Sequence, residues 1–219
     1  MTSRARHHGL YDARVNTVVL VPVKAFVDAK ARLSAVLSPA AREALARWMA
    51  GRVLAAAGEL PVFVACDDDS VADWATAHGA GVLWHPGVGL NAAVNSSLEE
   101  LRLQGVEHVV VAHGDLPRVT ALADVAIPGT LTLVPDALDD GTNVAALPTD
   151  FAFEFQYGAG SFRRHVDQAV AAGLPFVVHR DSLLAIDIDN PSDLTHPLVQ
   201  EVLPSWLRTN QANPTPPLR

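Results

Sequence analysis

Short β-branched runs alternate with stretches of helical period along most of this chain, and that alternation constrains the fold more than any single motif. Thr17–Val23 reads as a strand running into a loop. Ser38 followed by Pro39 marks a helix start, an N-cap and its first residue, and Leu45, Trp48, Met49, Val53 and Ala56 then share one helical face. Val62–Ala65 is a short strand, Asp69 can cap a helix to about His78, and Val82–Trp84 is a strand. Asn91 can cap a helix to about Leu103, and Val109–Ala112 is the unbroken apolar run of a strand buried on both faces. Leu131–Val134, Val144–Leu147 and Phe151–Phe155 are strand-like, a helix follows from Ser161 to about Ala172, and Phe176–Val178 and Leu184–Ile188 complete the set. Strands separated by helices of this length predict an α/β fold, a mainly parallel sheet with helices on both faces. In such a sheet the ligand site lies at the carboxyl ends of the strands.

The 219 residues suit one domain, expected over 17–203, with a loose leader at 1–16 and a Pro- and Asn-rich tail at 204–219. The net charge of −8 argues against nucleic acid or an anionic membrane as partner. One cysteine, Cys66, allows no internal disulfide and no cysteine metal site, which fits a reducing compartment. The first residues lack the apolar segment of a secretory signal, and no apolar run has the length of a membrane span, so a cytoplasmic location is expected.

The candidate chemistry sits at strand ends. Asp115, in HGDLP, lies just past Val109–Ala112, where a carboxylate points into the expected crevice or serves as a turn residue before Pro117. His113 reads more simply as structural than as a base. Asp187 and Asp189 bracket Ile188, and on a strand they share one face. Two carboxylates so placed favour a cation between them, and Mg²⁺ is the natural one, with Asp187 the stronger candidate. Asp189 alternatively serves a local turn, with Asn190, Pro191 and Asp193 starting a helix. Lys24 and Lys30 are the only lysines, and with Arg32 they form a basic stretch after the first strand that suits a polyphosphate without a glycine-rich phosphate loop. Gly158, Gly160 and Ser161 precede a helix and offer backbone N–H groups to an anion, near Thr142 and Asn143. Gly89, Leu90 and Asn91 open another helix, where a ribose or base could rest. Cys66 precedes Asp67, Asp68 and Asp69, which makes it a poor nucleophile.

Taken in order, VPVKAFVDAKARL, PGVGLN, HGDLP, DGTN, FAFEFQYGAGSFRRH and AIDIDNPSDL resemble one family, the 2-phospho-L-lactate (or phosphoenolpyruvate) guanylyltransferases of coenzyme F420 biosynthesis. The match runs from Val18 to Leu194. The resemblance implies a nucleotide-diphospho-sugar transferase fold of Rossmann-like type, with GTP and a small phosphorylated three-carbon acid as substrates and Mg²⁺ as cofactor. It implies that Asp115 and Asp187, with Asp189 assisting, hold the metal. Lys24, Lys30 and Arg32 then face the GTP phosphates, and Gly89, Leu90 and Asn91 are assigned to the nucleotide. Thr142, Asn143, Gly158 and Ser161 are assigned to the acid. Lys24, Lys30 and Asp115 become the expected catalytic residues. Two positions depart from the family's usual pattern: Ala25 where proline is more common, and Asp140 where glycine often precedes the GTN triplet. Another acceptor, such as 3-phosphoglycerate or a molybdopterin, and a GTP-binding protein without turnover stay open as alternatives, and so does a homodimer.

Overall fold

A computed structural model of the protein describes residues 16–208. The expected leader, up to residue 15, and the end of the expected tail, from residue 209, lie outside the described residues.

The seven strands are β1 (Thr17–Pro22), β2 (Val62–Cys66), β3 (Gly81–Trp84), β4 (His108–Ala112), β5 (Leu131–Pro135), β6 (Thr142–Pro148) and β7 (Phe176–Val178). They form one sheet in the order β3-β2-β1-β4-β6-β5-β7. The pairs β3–β2, β2–β1, β1–β4 and β5–β7 are parallel, and β6 runs antiparallel to both neighbours. The α-helices among the described residues are α1 (Pro39–Ala55), α2 (Asp69–Ala77), α3 (Gly89–Leu103), α4 (Ser161–Ala171), α5 (Pro197–Val202) and α6 (Ser205–Arg208).

Strand alternation sorts the core into two layers. Val19, Val21, Val110 and Ala112 face α1 and α2. Val18, Leu20, Val109 and Val111 face α3 and α4. Every residue of β4 is buried, as its unbroken apolar run requires. A third cluster lies beyond α1, where Leu45 and Met49 meet Leu33, Leu37, Val199, Leu203 and Leu207. The packed chain therefore continues to Arg208, past the position where a tail was expected to begin.

Several local expectations need correction. Phe151–Phe155 is not a strand of the sheet. Side-chain amides take the place of a strand neighbour there. Phe155 N–H donates to Asn95 Oδ1 (2.8 Å) and its carbonyl accepts from Asn95 Nδ2 (3.1 Å). Gln168 serves Glu154 in the same two-way fashion, and Asn91 serves Tyr157. Asn91 is thus not a helix cap: α3 already begins at Gly89, whose φ of +77° is the left-handed conformation glycine permits. Asp68, not Asp69, caps α2, accepting from Val71 N–H at 3.1 Å. Leu184–Ile188 is irregular chain, with Leu184 buried between the sheet and α1/α2 and Ile188 in the third cluster. The helix start at Ser38 and Pro39 is as read, with Ser38 Oγ accepting from Ala41 N–H. Among the described residues no helix is long and apolar enough to cross a membrane.

Candidate active site

The carboxyl ends of β1 and β4 carry two of the segments that build the site, and the irregular chain after β7, with Asp187 and Asp189, is the third. After β1 the chain is pinned by two buried side chains, Phe26, edge-on to Trp74 at 5.1 Å and covered by Arg47, and Leu33. Between these anchors Lys30 adopts a left-handed conformation (φ 54°), unusual for a residue with a side chain. Its ammonium donates to Asp115 Oδ2 at 2.7 Å and to Asp189 Oδ1 at 2.8 Å. Arg32 reaches Asp189 Oδ2 at 3.3 Å. Oxygens of Asp115, Asp187 and Asp189 all lie within 4.8 Å of one another.

The titration behaviour follows from this packing. Burial alone would lower the Lys30 pKa, but Asp115 and Asp189 more than offset it and hold the ammonium well above its ordinary value. Burial pushes the Asp115 carboxyl up, yet Lys30 and His113 bring it below the usual carboxylate range. Asp187 has no ion pair among the described residues. Burial first, then the charges of Asp115 and Asp189, push it up to about 7. Three carboxylates against one ammonium and one partly engaged guanidinium leave excess negative charge on hard oxygen donors, and such a set can hold a divalent cation.

Asp189 does not merely serve a turn. Its N–H and that of Asn190 donate to Asp193 Oδ2 (2.8 and 2.6 Å), so Asp193 closes the turn and the Asp189 carboxylate is left for Lys30 and Arg32. The following helical turn spans Asp193–Thr195, with Ser192 rather than Asn190 at its cap. Asp187 and Asp189 meet Asp115 without the strand alternation expected of them.

A cavity of about 460 Å³ opens over the cluster, and Lys24, Lys30, Arg32, Leu90, His113, Asp115 and Asp189 line it. Lys24 is exposed there and forms no ion pair among the described residues. Gly89 precedes Leu90 at the head of α3, while the Asn91 amide is committed to the Tyr157 backbone.

Thr142, Asn143, Gly158 and Ser161 are brought together beside this cavity rather than in its wall. Pairing between β5 and β6 shifts between Val134 and Pro135, so that Val134 faces Val144 and Pro135 faces Thr142, with Asn143 the extra residue. The shift turns Thr142 toward α4, where its Oγ1 lies 2.9 Å from His165 Nδ1 and its N–H donates to Ser161 Oγ at 3.2 Å. Asn143 points the other way, donating to Leu184 O at 3.0 Å, and its carbonyl accepts from His113 N–H. Gly158 (φ +119°) and Gly160 (φ +71°) hold the turn into α4, and Asp140 Oδ1 accepts from Gly160 N–H. The Tyr157 ring sits edge-on to His113, 4.6 Å away, which joins this loop to the one carrying Asp115. Sequence reasoning missed His165 and Asn95. Asn91 and Asn95, polar residues one turn apart on a helix with a buried face, were the available signal for the amide clamp.

This architecture covers 90% of the chain and 92% of a crystal structure from Desulfovibrio desulfuricans G20 assigned to the nucleotide-diphospho-sugar transferases, with a TM-score of 0.69 at 17% identity. The fold is that of the nucleotide-diphospho-sugar transferases, and it carries a lysine-paired carboxylate cluster beyond the carboxyl ends of its parallel strands. Its sequence carries the assignment further. Residues 17–201 match the family described as guanylyl transferase CofC like, and the chain belongs to that family. Phosphoenolpyruvate guanylyltransferase of Sphaerobacter thermophilus is 38% identical to it, over 82% of this chain and 91% of that protein. 3-Phospho-D-glycerate guanylyltransferase of Phenylobacterium zucineum is 34% identical, over 80% and 86%.

Proposed function

We propose that the protein moves GMP from GTP onto the phosphate of a small phosphorylated three-carbon acid, phosphoenolpyruvate or 2-phospho-L-lactate, with release of pyrophosphate, in coenzyme F420 biosynthesis. The observation that carries this reading is the cluster of Lys30 with Asp115, Asp187 and Asp189, of which Lys30, Asp115 and Asp189 line a cavity of about 460 Å³. The resemblance to phosphoenolpyruvate guanylyltransferase supports the acceptor class. The single cysteine, buried and with its thiol pKa raised by burial, suits a reducing cytoplasm.

In this proposal the acceptor's phosphate oxygen attacks the α-phosphorus of GTP in line, and pyrophosphate leaves. A phosphate is already a nucleophile near neutral pH, so no strong general base is needed. Asp115, Asp187 and Asp189 would hold Mg²⁺, which, when bound, neutralises phosphate charge. Lys24, free at the cavity mouth, and Arg32 meet the triphosphate. Lys30 holds Asp115 ionised, pairs with Asp189 and adds positive charge beside the phosphates. Leu90 and Gly89 give the nucleoside a surface at the head of α3. Thr142 and Ser161 with the Gly158 turn take the acid's anionic group.

The test is pyrophosphate release from GTP with phosphoenolpyruvate, 2-phospho-L-lactate or 3-phosphoglycerate, for wild type and Asp115→Asn. Turnover with one of these acids, lowered about a hundredfold or more by the substitution, is expected. Near-normal turnover in Asp115→Asn would sink the metal assignment. The relative named for 3-phospho-D-glycerate favours that acid as the second reading. Asp140, which brings a carboxylate beside the acid loop, belongs to the same question of pocket shape.

A further inference from the structure

His165 takes no part in the carboxylate cluster, yet its surroundings define its chemistry closely. It lies one turn into α4 from Ser161 and has no exposed surface. Phe153, Phe155 and Tyr157 enclose the ring. The backbone N–H of Gln156 donates to Nε2 at 2.9 Å. A ring nitrogen that accepts an amide hydrogen carries none of its own, so the proton of the neutral imidazole is on Nδ1. Nδ1–H therefore donates to Thr142 Oγ1, 2.9 Å away. Burial, with Arg164 and His113 nearby, takes the ring's pKa down to about 4, which keeps this tautomer in place at neutral pH.

Thr142 Oγ1, already accepting from the ring, is left with its own hydrogen to donate. Ser161 Oγ accepts from Thr142 N–H and is in the same position. Neither hydroxyl hydrogen has an acceptor among the described residues. Two directed O–H donors therefore stand together at the turn formed by Gly158 and Gly160. Were Nδ1 an acceptor instead, the Thr142 hydrogen would be consumed by the ring and lost to any ligand.

We propose that His165 is a positioning residue of the acceptor site: its Nδ1–H holds the Thr142 hydroxyl so that the hydroxyl hydrogen is presented to an oxyanion of the phosphorylated acid. This rests on the acceptor reading of Thr142 and Ser161 above. His165 need not touch the acid itself.

Two substitutions separate the hydrogen bonds. His165→Gln can still accept from Gln156 N–H but places no donor on Thr142. His165→Asn puts an amide N–H near the Nδ1 position. His165→Gln is expected to raise the KM for the acid about tenfold, the worth of one directed hydrogen bond, with the KM for GTP little changed. His165→Asn should recover most of that loss. Combined with Thr142→Val, His165→Gln should add nothing further to the acid KM. Additive effects, an equal rise in the KM for GTP, or an unchanged acid KM in His165→Gln would each overturn the proposal. If Thr142→Val alone leaves the acid KM unchanged, the acceptor reading of this loop falls, and the proposal with it. If Thr142→Val raises that KM and His165→Gln does not, only the role of His165 falls. Imidazole nitrogen NMR of the wild-type protein reads the tautomer without any variant, and a proton on Nε2 would also overturn the assignment.

Discussion

Asp187 is the residue that the cluster leaves unbalanced. Lys30 pairs with Asp115 and Asp189, and at Asp187 burial and the repulsion of those two carboxylates outweigh the attraction of Lys30 and a backbone hydrogen bond. Its folded-state pKa of about 7 lies above the ordinary 3.8, so the folded protein binds the extra proton between those values. Stability in the absence of divalent cations should therefore fall as pH rises from about 4 to about 7 and flatten above that. Asp187→Asn should remove this slope, read as Tm against pH in chelator, and an unchanged slope would contradict the charge balance described here. Lys30 and Lys24 differ in the same physical terms. Lys30 is held by two carboxylates, with a side chain only 9% exposed, whereas Lys24 is exposed and unpaired among the described residues. Both Lys24→Ala and Lys30→Ala should raise the KM for GTP far more than that for the acid. Only Lys30→Ala should also lower the Tm, because it strands two partly buried carboxylates, and added Mg²⁺ should restore part of that loss.

At the scale of elements, the segment from Phe153 to Tyr157 is the part least visible in the sequence. Its aromatic alternation has the period of a strand, but its partners are the amides of Asn91, Asn95 and Gln168 on two helices. Periodicity reports which residues are buried, not what satisfies the backbone. Asn95→Ala leaves the Phe155 N–H and carbonyl without partners and should cost about 1–3 kcal/mol in urea unfolding. It should also weaken use of the acid, because this segment carries the Gly158 turn. A variant as stable as wild type would show the clamp to be dispensable. Leu184–Ile188 misled for a similar reason. Its alternation of apolar and acidic residues was real, but the apolar members are buried in two separate clusters rather than on one sheet face. By contrast β1, β2, β3 and β4 were legible because each is a short apolar run in a β/α repeat of parallel strands, where pattern and topology agree. Asp115 was legible for the same reason, since it follows a strand buried along its whole length, whereas Asp187 and Asp189 were read from a strand alternation that the fold does not have.

At the scale of the whole molecule, the C-terminal elements brace the site from behind. Arg118, in the loop that carries Asp115, donates to Leu198 O and pairs with Glu201 of α5. Leu203 and Leu207 fill the third cluster against α1 and the stretch after Lys30. The Pro-, Asn- and Thr-rich composition from residue 204 suggested a tail, because composition does not reveal that Leu207 reaches the core. Leu203→Ala should cost about 2–5 kcal/mol of stability, and a loss under 1 kcal/mol would place α5 and α6 outside the folding unit. The loops after β1 and β4 and the chain at 187–189 thus bring cations and carboxylates together, and the bulge in β6 sets Thr142 and Ser161 beside them. The claim that joins these parts is the transfer of GMP to a phosphorylated acid. Mass spectrometry of the products from GTP with phosphoenolpyruvate, 2-phospho-L-lactate and 3-phosphoglycerate in competition tests it most directly. The account predicts one dominant product carrying GMP on the acid's phosphate, with matching pyrophosphate, and a mixture with no GMP attached to any acid would contradict it.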